Sequence, residues 1–303
     1  MDDVSRTRYS FSEKWRNTSG YQLGGFSGFD NDTLNWLITR NGFDSLTEFQ
    51  EHLLKFKTIM DAGCGNGRIL GLFADLLTEE HLLYGFDFAS AEIARKNLGA
   101  LVKGIFDADL MDLESLENLP KADFIYCQEV LHHTQSPNTA FNNLVSRLND
   151  GGEIAIYVYK RKAPIREFTD DYIRGFVENL EHDAALDLTS DFTAFGKALT
   201  ELNIEVDIPE LRLLEIPAGR YQVQRLFYHF FLKCYWNPQL SREINDAVNF
   251  DWYHPSISSR HTEEEVLDWF KKNDLNIVHH YTDEYGITVR GLKPDLKEEF
   301  SVS

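Results

Sequence analysis

The chain has 303 residues, 43% of them hydrophobic and 13% aromatic, and carries 30 Lys and Arg against 49 Asp and Glu for a formal net charge of −19. That composition excludes an intrinsically disordered chain, and the length suffices to bury a core without disulfide or metal staples. A charge of this sign and size disfavours broad binding to nucleic acid or anionic lipid, so the expected partner is a small molecule, with no nucleic acid and no membrane.

Residues 1–8 lack the basic start and apolar stretch of a signal peptide, and no uncharged run approaches the roughly 18 residues that span a bilayer. Cys64, Cys127 and Cys234 lie far apart with no C-x-x-C pair, which fits a reducing, cytoplasmic setting. Residues 1–55 mix Gly20, Gly24, Gly25 and Gly28 with aromatics, then give amphipathic stretches at 32–40 and 45–55; a helical N-terminal cap is expected. From Lys57, short apolar runs at 58–62, 82–88, 101–106, 122–128 and 152–159 alternate with helical patterns at 68–77, 90–98 and 137–148. Strands with almost no polar residues inside, separated by helices, predict an α/β fold with a doubly wound sheet covered on both faces. Residues 161–261 read as helices and loops. A capped helix at 262–273 and strands at 275–281 and 285–292 return the chain to the sheet.

The strongest local signal is Asp61-Ala62-Gly63-Cys64-Gly65-Asn66-Gly67-Arg68, where an apolar strand runs through a G-x-G-x-G turn into a helix. Such a turn needs residues that tolerate positive φ, and a nucleoside reaches the backbone closely only where no Cβ intervenes. The spacing is neither the G-x-G-x-x-G dinucleotide fingerprint nor a P-loop. Asp87, at the end of the second strand, is placed to accept from both hydroxyls of a ribose. Asp109-Leu110 follows the third strand, and Gln128-Glu129-Val130-Leu131-His132-His133 brings polar side chains to the carboxyl edge after the fourth.

These residues resemble the class I S-adenosylmethionine-dependent methyltransferases of the small-molecule type. Asp61-x-Gly63-x-Gly65-x-Gly67 is similar to their first motif, Asp87 to the ribose acid, Asp109-Leu110 to the adenine-edge motif and Val130-Leu131-His132-His133 to the V-L-[EH]-H stretch. Leu148-Asn149-Asp150-Gly151-Gly152 resembles their L-x-P-G-G turn, with Asp150 in place of proline. The resemblance implies a Rossmann-like seven-stranded sheet ending in an antiparallel hairpin. It covers a core at 56–160 and 262–293; outside it the pattern of residues leaves a cap at 1–55, a mainly helical lid at 161–261 inserted after the fifth strand, and a tail at 294–303. It also implies S-adenosylmethionine as cofactor and S-adenosylhomocysteine as product, held by Asp61, Gly63, Cys64, Gly65, Gly67, Asp87, Phe88, Asp109, Leu110 and Gln128. Phe11 to Trp15, with Tyr21, is similar to the aromatic cap that folds over the cofactor in many of these enzymes.

Methyl transfer needs alignment of nucleophile, methyl carbon and sulfur, and a base only where the acceptor keeps its proton. Candidates are His133, which matches the V-L-x-H position, with His132 and Tyr159. Glu129, His132 and His133 would share one face of a helix and suit a divalent metal if the segment were helical; no metal is assigned. In the insert, residues 167–215 hold 13 acids against 3 bases, whereas residues 216–262 hold 5 bases against 3 acids and ten aromatics between Tyr221 and Tyr253. Arg166, Arg225, His229 and His254 are the candidate contacts there for a sugar-linked or anionic substrate, and a homodimer through the insert is an expectation. The function expected is methyl transfer to O or N of a small metabolite. The alternatives are an RNA methyltransferase or a non-catalytic nucleoside-binding regulator.

Overall fold

The computed structural model describes residues 1–295, so the expected tail falls outside the described residues from 296 onward. The helices are α1 (Asp3–Asn17), α2 (Asn31–Arg40), α3 (Leu46–Leu53), α4 (Arg68–Leu76), α5 (Ala91–Leu98), α6 (Leu113–Glu117), α7 (Pro137–Ser146), α8 (Pro164–Val177), α9 (His182–Leu202), α10 (Val223–Phe230), α11 (Arg242–Tyr253) and α12 (Glu263–Lys272). The strands are β1 (Thr58–Ala62), β2 (Leu82–Asp87), β3 (Gly104–Asp107), β4 (Ala122–Gln128), β5 (Leu148–Tyr159), β6 (Glu205–Ile208), β7 (Gly219–Gln222), β8 (Asn276–Thr282) and β9 (Gly286–Leu292). None of the described helices is long and apolar enough to cross a membrane.

Two compact units divide the chain: Met1–Lys14 with Arg161–Ser258, and Trp15–Lys160 with Ser259 onward. The expected cap at 1–55 is therefore split, because the boundary falls inside α1 and the rest of the segment belongs with the sheet. Phe29, Leu37 and Ile38, then Phe43, Phe49, Leu53 and Phe56, join Ile59, Phe124 and Tyr126 in one hydrophobic cluster.

The sheet unit holds seven strands in the order β3-β2-β1-β4-β5-β9-β8. Pairing is parallel from β3 to β5 and antiparallel from β5 through β9 to β8. This is the doubly wound sheet with a terminal hairpin expected from the alternating pattern and the resemblance. Period-two alternation sorts each strand between the faces: Ile59 and Phe124 pack with α4, while Met60, Ile125 and Ile154 pack with α7 and α12. Local chemistry sets the helix starts. Ser136 accepts from the Thr139 N–H ahead of Pro137, and Thr262 forms a capping box with Glu265.

The second unit packs α8 to α11 with the first part of α1. It also contains the hairpin β6–β7, paired from Glu205 with Gln222 to Ile208 with Gly219, where only helices and loops were expected. The four-residue β6 alternates exposed and half-buried positions and β7 has a single half-buried residue, Tyr221, a pattern too weak for periodicity to separate from loop.

Candidate cofactor site

The glycine turn between β1 and α4 holds Gly63, Gly65 and Gly67 at φ of 75°, 57° and 90°. Gly63 and Cys64 donate their N–H groups to the Phe86 carbonyl at 2.8 and 3.0 Å, which ties the turn to β2. A Cβ would fall 2.4 Å from Val130 at Gly63, 2.8 Å from the Trp15 indole at Gly65 and 2.7 Å from Leu98 at Gly67. Backbone conformation and space thus both select glycine.

Asp61 is buried on β1, and its Oδ2 has no hydrogen-bond partner. Burial pushes its carboxyl up to about 7, with Arg68 opposing the shift and Asp87 adding to it. The Cys64 thiol, buried beside Asp87 and Asp61, is pushed well above its ordinary range and stays protonated. The two oxygens of Asp87 do different work. Oδ1 accepts from Ala89 N, Ser90 N and Ser90 Oγ at 2.8 to 2.9 Å, which ties down the turn that leads into α5. Oδ2 accepts from Gly65 N at 3.0 Å. A carboxylate offers about four lone-pair sites, and with four donors already placed the accepting capacity left for the expected ribose hydroxyls lies on Oδ2.

Phe88 follows, half-buried. Asp109 folds back on its own loop, with Oδ1 accepting from Met111 N at 2.9 Å. The Leu110 side chain lies in the core and its carbonyl accepts from Asn143 at 2.8 Å. Gln128 ends β4 with both amide atoms buried and without hydrogen-bond partners.

Sequence reasoning missed the residues that fasten the segment after α1 to this turn. Buried Asn66 donates to the carbonyls of Ser19 at 3.2 Å and Tyr21 at 2.8 Å. Asn97 donates to the Ser19 carbonyl at 3.0 Å. Arg68 donates to the Gln22 amide oxygen and, at 3.1 Å, to Glu129. Gln22 and Glu129 are both left-handed non-glycine residues, at φ of 53° and 62°. Asn66 and Arg68 stand inside the glycine motif, so a signal existed; nothing in the sequence announces the backbone of Glu129.

His132, His133 and Tyr159 come together. The His132 ring stacks on Tyr159 with centroids 3.7 Å apart and accepts the Tyr159 N–H at Nδ1, 3.2 Å away. His133 lies edge-on to both, at 4.3 and 5.7 Å. The metal face does not form. Glu129 is left-handed and bonded to Arg68, Leu131–His133 is one 3-10 turn, and no group of three metal-ligating residues occurs among the described residues.

In the helical unit, two of the four substrate candidates have structural work instead. Arg166 is buried and spends its guanidinium on Asp170 and the Tyr228 carbonyl; burial opposes its charge, yet Asp170 holds its pKa above the ordinary value. Asp170 also accepts from Trp252 Nε1 at 2.7 Å, Tyr253 OH at 2.9 Å and Lys233 N at 3.2 Å. His254 bonds to Ser10 Oγ at 2.9 Å and the Leu180 carbonyl at 3.1 Å, and burial lowers its pKa. Both were expected at a substrate because sequence shows charge but not burial. Arg225 and His229 are half-buried on α10.

Comparison with known proteins decides the family. A family model described as a methyltransferase domain matches residues 38–201, more than half of the chain. The chain belongs to the methyltransferase-domain family. Two curated relatives are named tRNA U34 carboxymethyltransferase. One, from Campylobacter fetus subsp. fetus, is 33% identical over 105 residues, 34% of this chain and 36% of that protein. The other, from Campylobacter hominis, is 33% identical over 116 residues, 37% of this chain and 39% of that protein. The chain thus spans little more than a third of the length of the curated relatives it matches. Among solved structures, the N-methyltransferase NodS from Bradyrhizobium japonicum, in complex with S-adenosyl-L-homocysteine, is 12% identical. It covers 95% of this chain and 99% of its own, with a TM-score of 0.47.

A methyltransferase domain implies S-adenosylmethionine as the methyl donor. The glycine turn fits that group: the backbone is bare of Cβ atoms, and the unpartnered polar atoms of Asp61 and Gln128 are what a site built for a polar ligand leaves unsatisfied.

Proposed function

We propose that this methyltransferase acts on an O or N atom of a small metabolite, sugar-linked or anionic, in a cytoplasmic setting. S-adenosylmethionine supplies a sulfonium methyl carbon open to nucleophilic attack. Asp61, Gly63, Cys64, Gly65, Gly67, Asp87, Phe88, Asp109 and Gln128 are the residues assigned to hold it, with Asp87 acting through Oδ2. His133 is the assigned general base. Because His132 Nδ1 accepts the Tyr159 N–H, a neutral His132 carries its proton on Nε2, and its stack on Tyr159 supports the neighbouring ring of His133. Arg225 and His229 are the residues assigned to the acceptor.

The observation that carries the small-molecule reading is charge. A net charge of −19 repels a polyphosphate chain. A second reading, methyl transfer to RNA, draws only its acceptor from the curated relatives, whose names give tRNA as the acceptor but carboxymethyl as the group moved. To separate the two, the protein is given methyl-labelled S-adenosylmethionine with either a small-metabolite extract or total tRNA. Nuclease-resistant label in the metabolite fraction is expected. Label in nuclease-sensitive RNA, with binding that weakens steeply as salt rises, would overturn the proposal in favour of RNA.

A further inference from the structure

Helix α8 turns one face to its own unit and leaves an aromatic ridge on the other. Arg166, Asp170, Arg174 and Val177 are buried, whereas Phe168, Tyr172 and Phe176 are 79%, 65% and 61% exposed. Their i, i+4, i+8 spacing aligns them in one row along the helix. At 150 to 250 Å² per aromatic side chain, the row exposes roughly 400 Å² of largely apolar surface, comparable to the largest patch on a typical monomer, which is often functional. Tyr172 and Phe176 rest against each other at 5.0 Å, so the row is a formed surface. Gly175 lies beside it, and nothing stands within 4 Å of the Cβ position there, which opens a stretch of bare backbone to a partner.

The row is its own complement. Phe168 and Phe176 stand symmetrically four residues before and after Tyr172, so a second α8 laid antiparallel across a two-fold axis at Tyr172 puts each Phe168 opposite the other copy's Phe176. Charge selects the same direction. Arg161 and Lys162 precede α8, whereas Glu178, exposed Glu181 and exposed Asp183 follow it. Antiparallel packing sets the basic start beside the acidic finish of the other copy, while parallel packing would oppose like charges. An anionic membrane is a poorer partner, since the chain carries −19 overall, while Asp171 beside the row pairs with Arg174 of the same helix at 3.5 Å.

We propose that the exposed face of α8 is an isologous dimer interface, and that its occupant is α8 of a second copy of this chain. The ridge supplies about half of the roughly 800 Å² per partner of a standard interface, so the dimer is reversible and concentration-dependent. The test is sedimentation equilibrium of the full chain at micromolar concentrations, with Tyr172→Arg and Tyr172→Cys variants. The wild type should shift with concentration toward twice 35.1 kDa. Tyr172→Arg, which sets like charges on the axis, should stay at the monomer mass with an unchanged melting temperature. Cys64, Cys127 and Cys234 are all buried, so in Tyr172→Cys the new thiol is the accessible one, and mild oxidation should link two copies. A wild type that stays monomeric, or a dimer that survives Tyr172→Arg and is not linked in Tyr172→Cys, overturns the proposal. A monomer that floats with zwitterionic vesicles, and loses that property in Tyr172→Arg, overturns it in favour of a lipid surface.

Discussion

Asp61 makes cofactor affinity depend on pH in a defined direction. Its carboxyl is buried, lacks a partner at Oδ2 and is pushed up to about 7, whereas a free aspartate titrates near about 3.9. S-adenosylmethionine carries a positive sulfonium and ammonium, so the ionised form of Asp61 is the one that favours binding. With a pKa of about 7, about one molecule in eleven has Asp61 ionised at pH 6 and about three in four at pH 7.5, a ratio near eightfold or about 1.2 kcal/mol. Calorimetric titration with S-adenosylmethionine should therefore give a dissociation constant about eightfold larger at pH 6 than at pH 7.5. Asp61→Asn should bind more weakly at pH 7.5 and lose most of that slope. The same shift has a stability consequence of opposite sign. Between about pH 4 and pH 7 the folded chain holds a proton that the unfolded chain has released, so this group's contribution to stability falls as pH rises through that window. Equal affinities at the two pH values in the wild type, or a full slope persisting in Asp61→Asn, would refute the reasoning.

Three further substitutions probe other parts of the molecule. Gly65→Ala forces a left-handed alanine, costing about 1 to 2 kcal/mol, and drives its Cβ to 2.8 Å from the Trp15 indole; the melting temperature should fall and tryptophan emission should change. Asp170→Asn leaves Arg166 buried without its counter-charge, and loss of one partner of a buried pair costs about 3 to 5 kcal/mol; denaturant unfolding should show that loss, while a result within about 0.5 kcal/mol of wild type would show the pair to be dispensable. His133→Ala should lower turnover by about 10² to 10⁴ if the ring is the general base, with cofactor affinity unchanged by calorimetry; undiminished turnover would remove the histidine from the mechanism.

The sheet was legible because burial on both faces leaves a mark in the chain itself. The strands 58–62 and 122–128 match β1 and β4 residue for residue, and the helices 68–77 and 90–98 match α4 and α5 to within one residue. The glycine turn was legible for a similar reason, since positive φ and close approach restrict the residue type locally. Arg166 and His254 show where sequence reasoning stops: a charged residue in a basic or aromatic stretch reads as a surface contact until the fold supplies an Asp170 or a Ser10 to occupy it. Asp87 shows a finer version, because its position after β2 was plain but the four donors it already serves were not.

The doubly wound sheet and the glycine cradle were readable in the chain because each depends on hydrophobic period or backbone conformation within a short stretch, whereas the methyltransferase family and the antiparallel terminal hairpin came from the resemblance of the motifs. Tertiary structure alone decided that α1 is shared between two units, that Asn66 and Arg68 fasten the Ser19 to Gln22 segment onto the turn, and that Phe168, Tyr172 and Phe176 face outward. Those outcomes rest on contacts between residues far apart in the chain, and on which face of a helix its neighbours leave uncovered, neither of which local pattern can express.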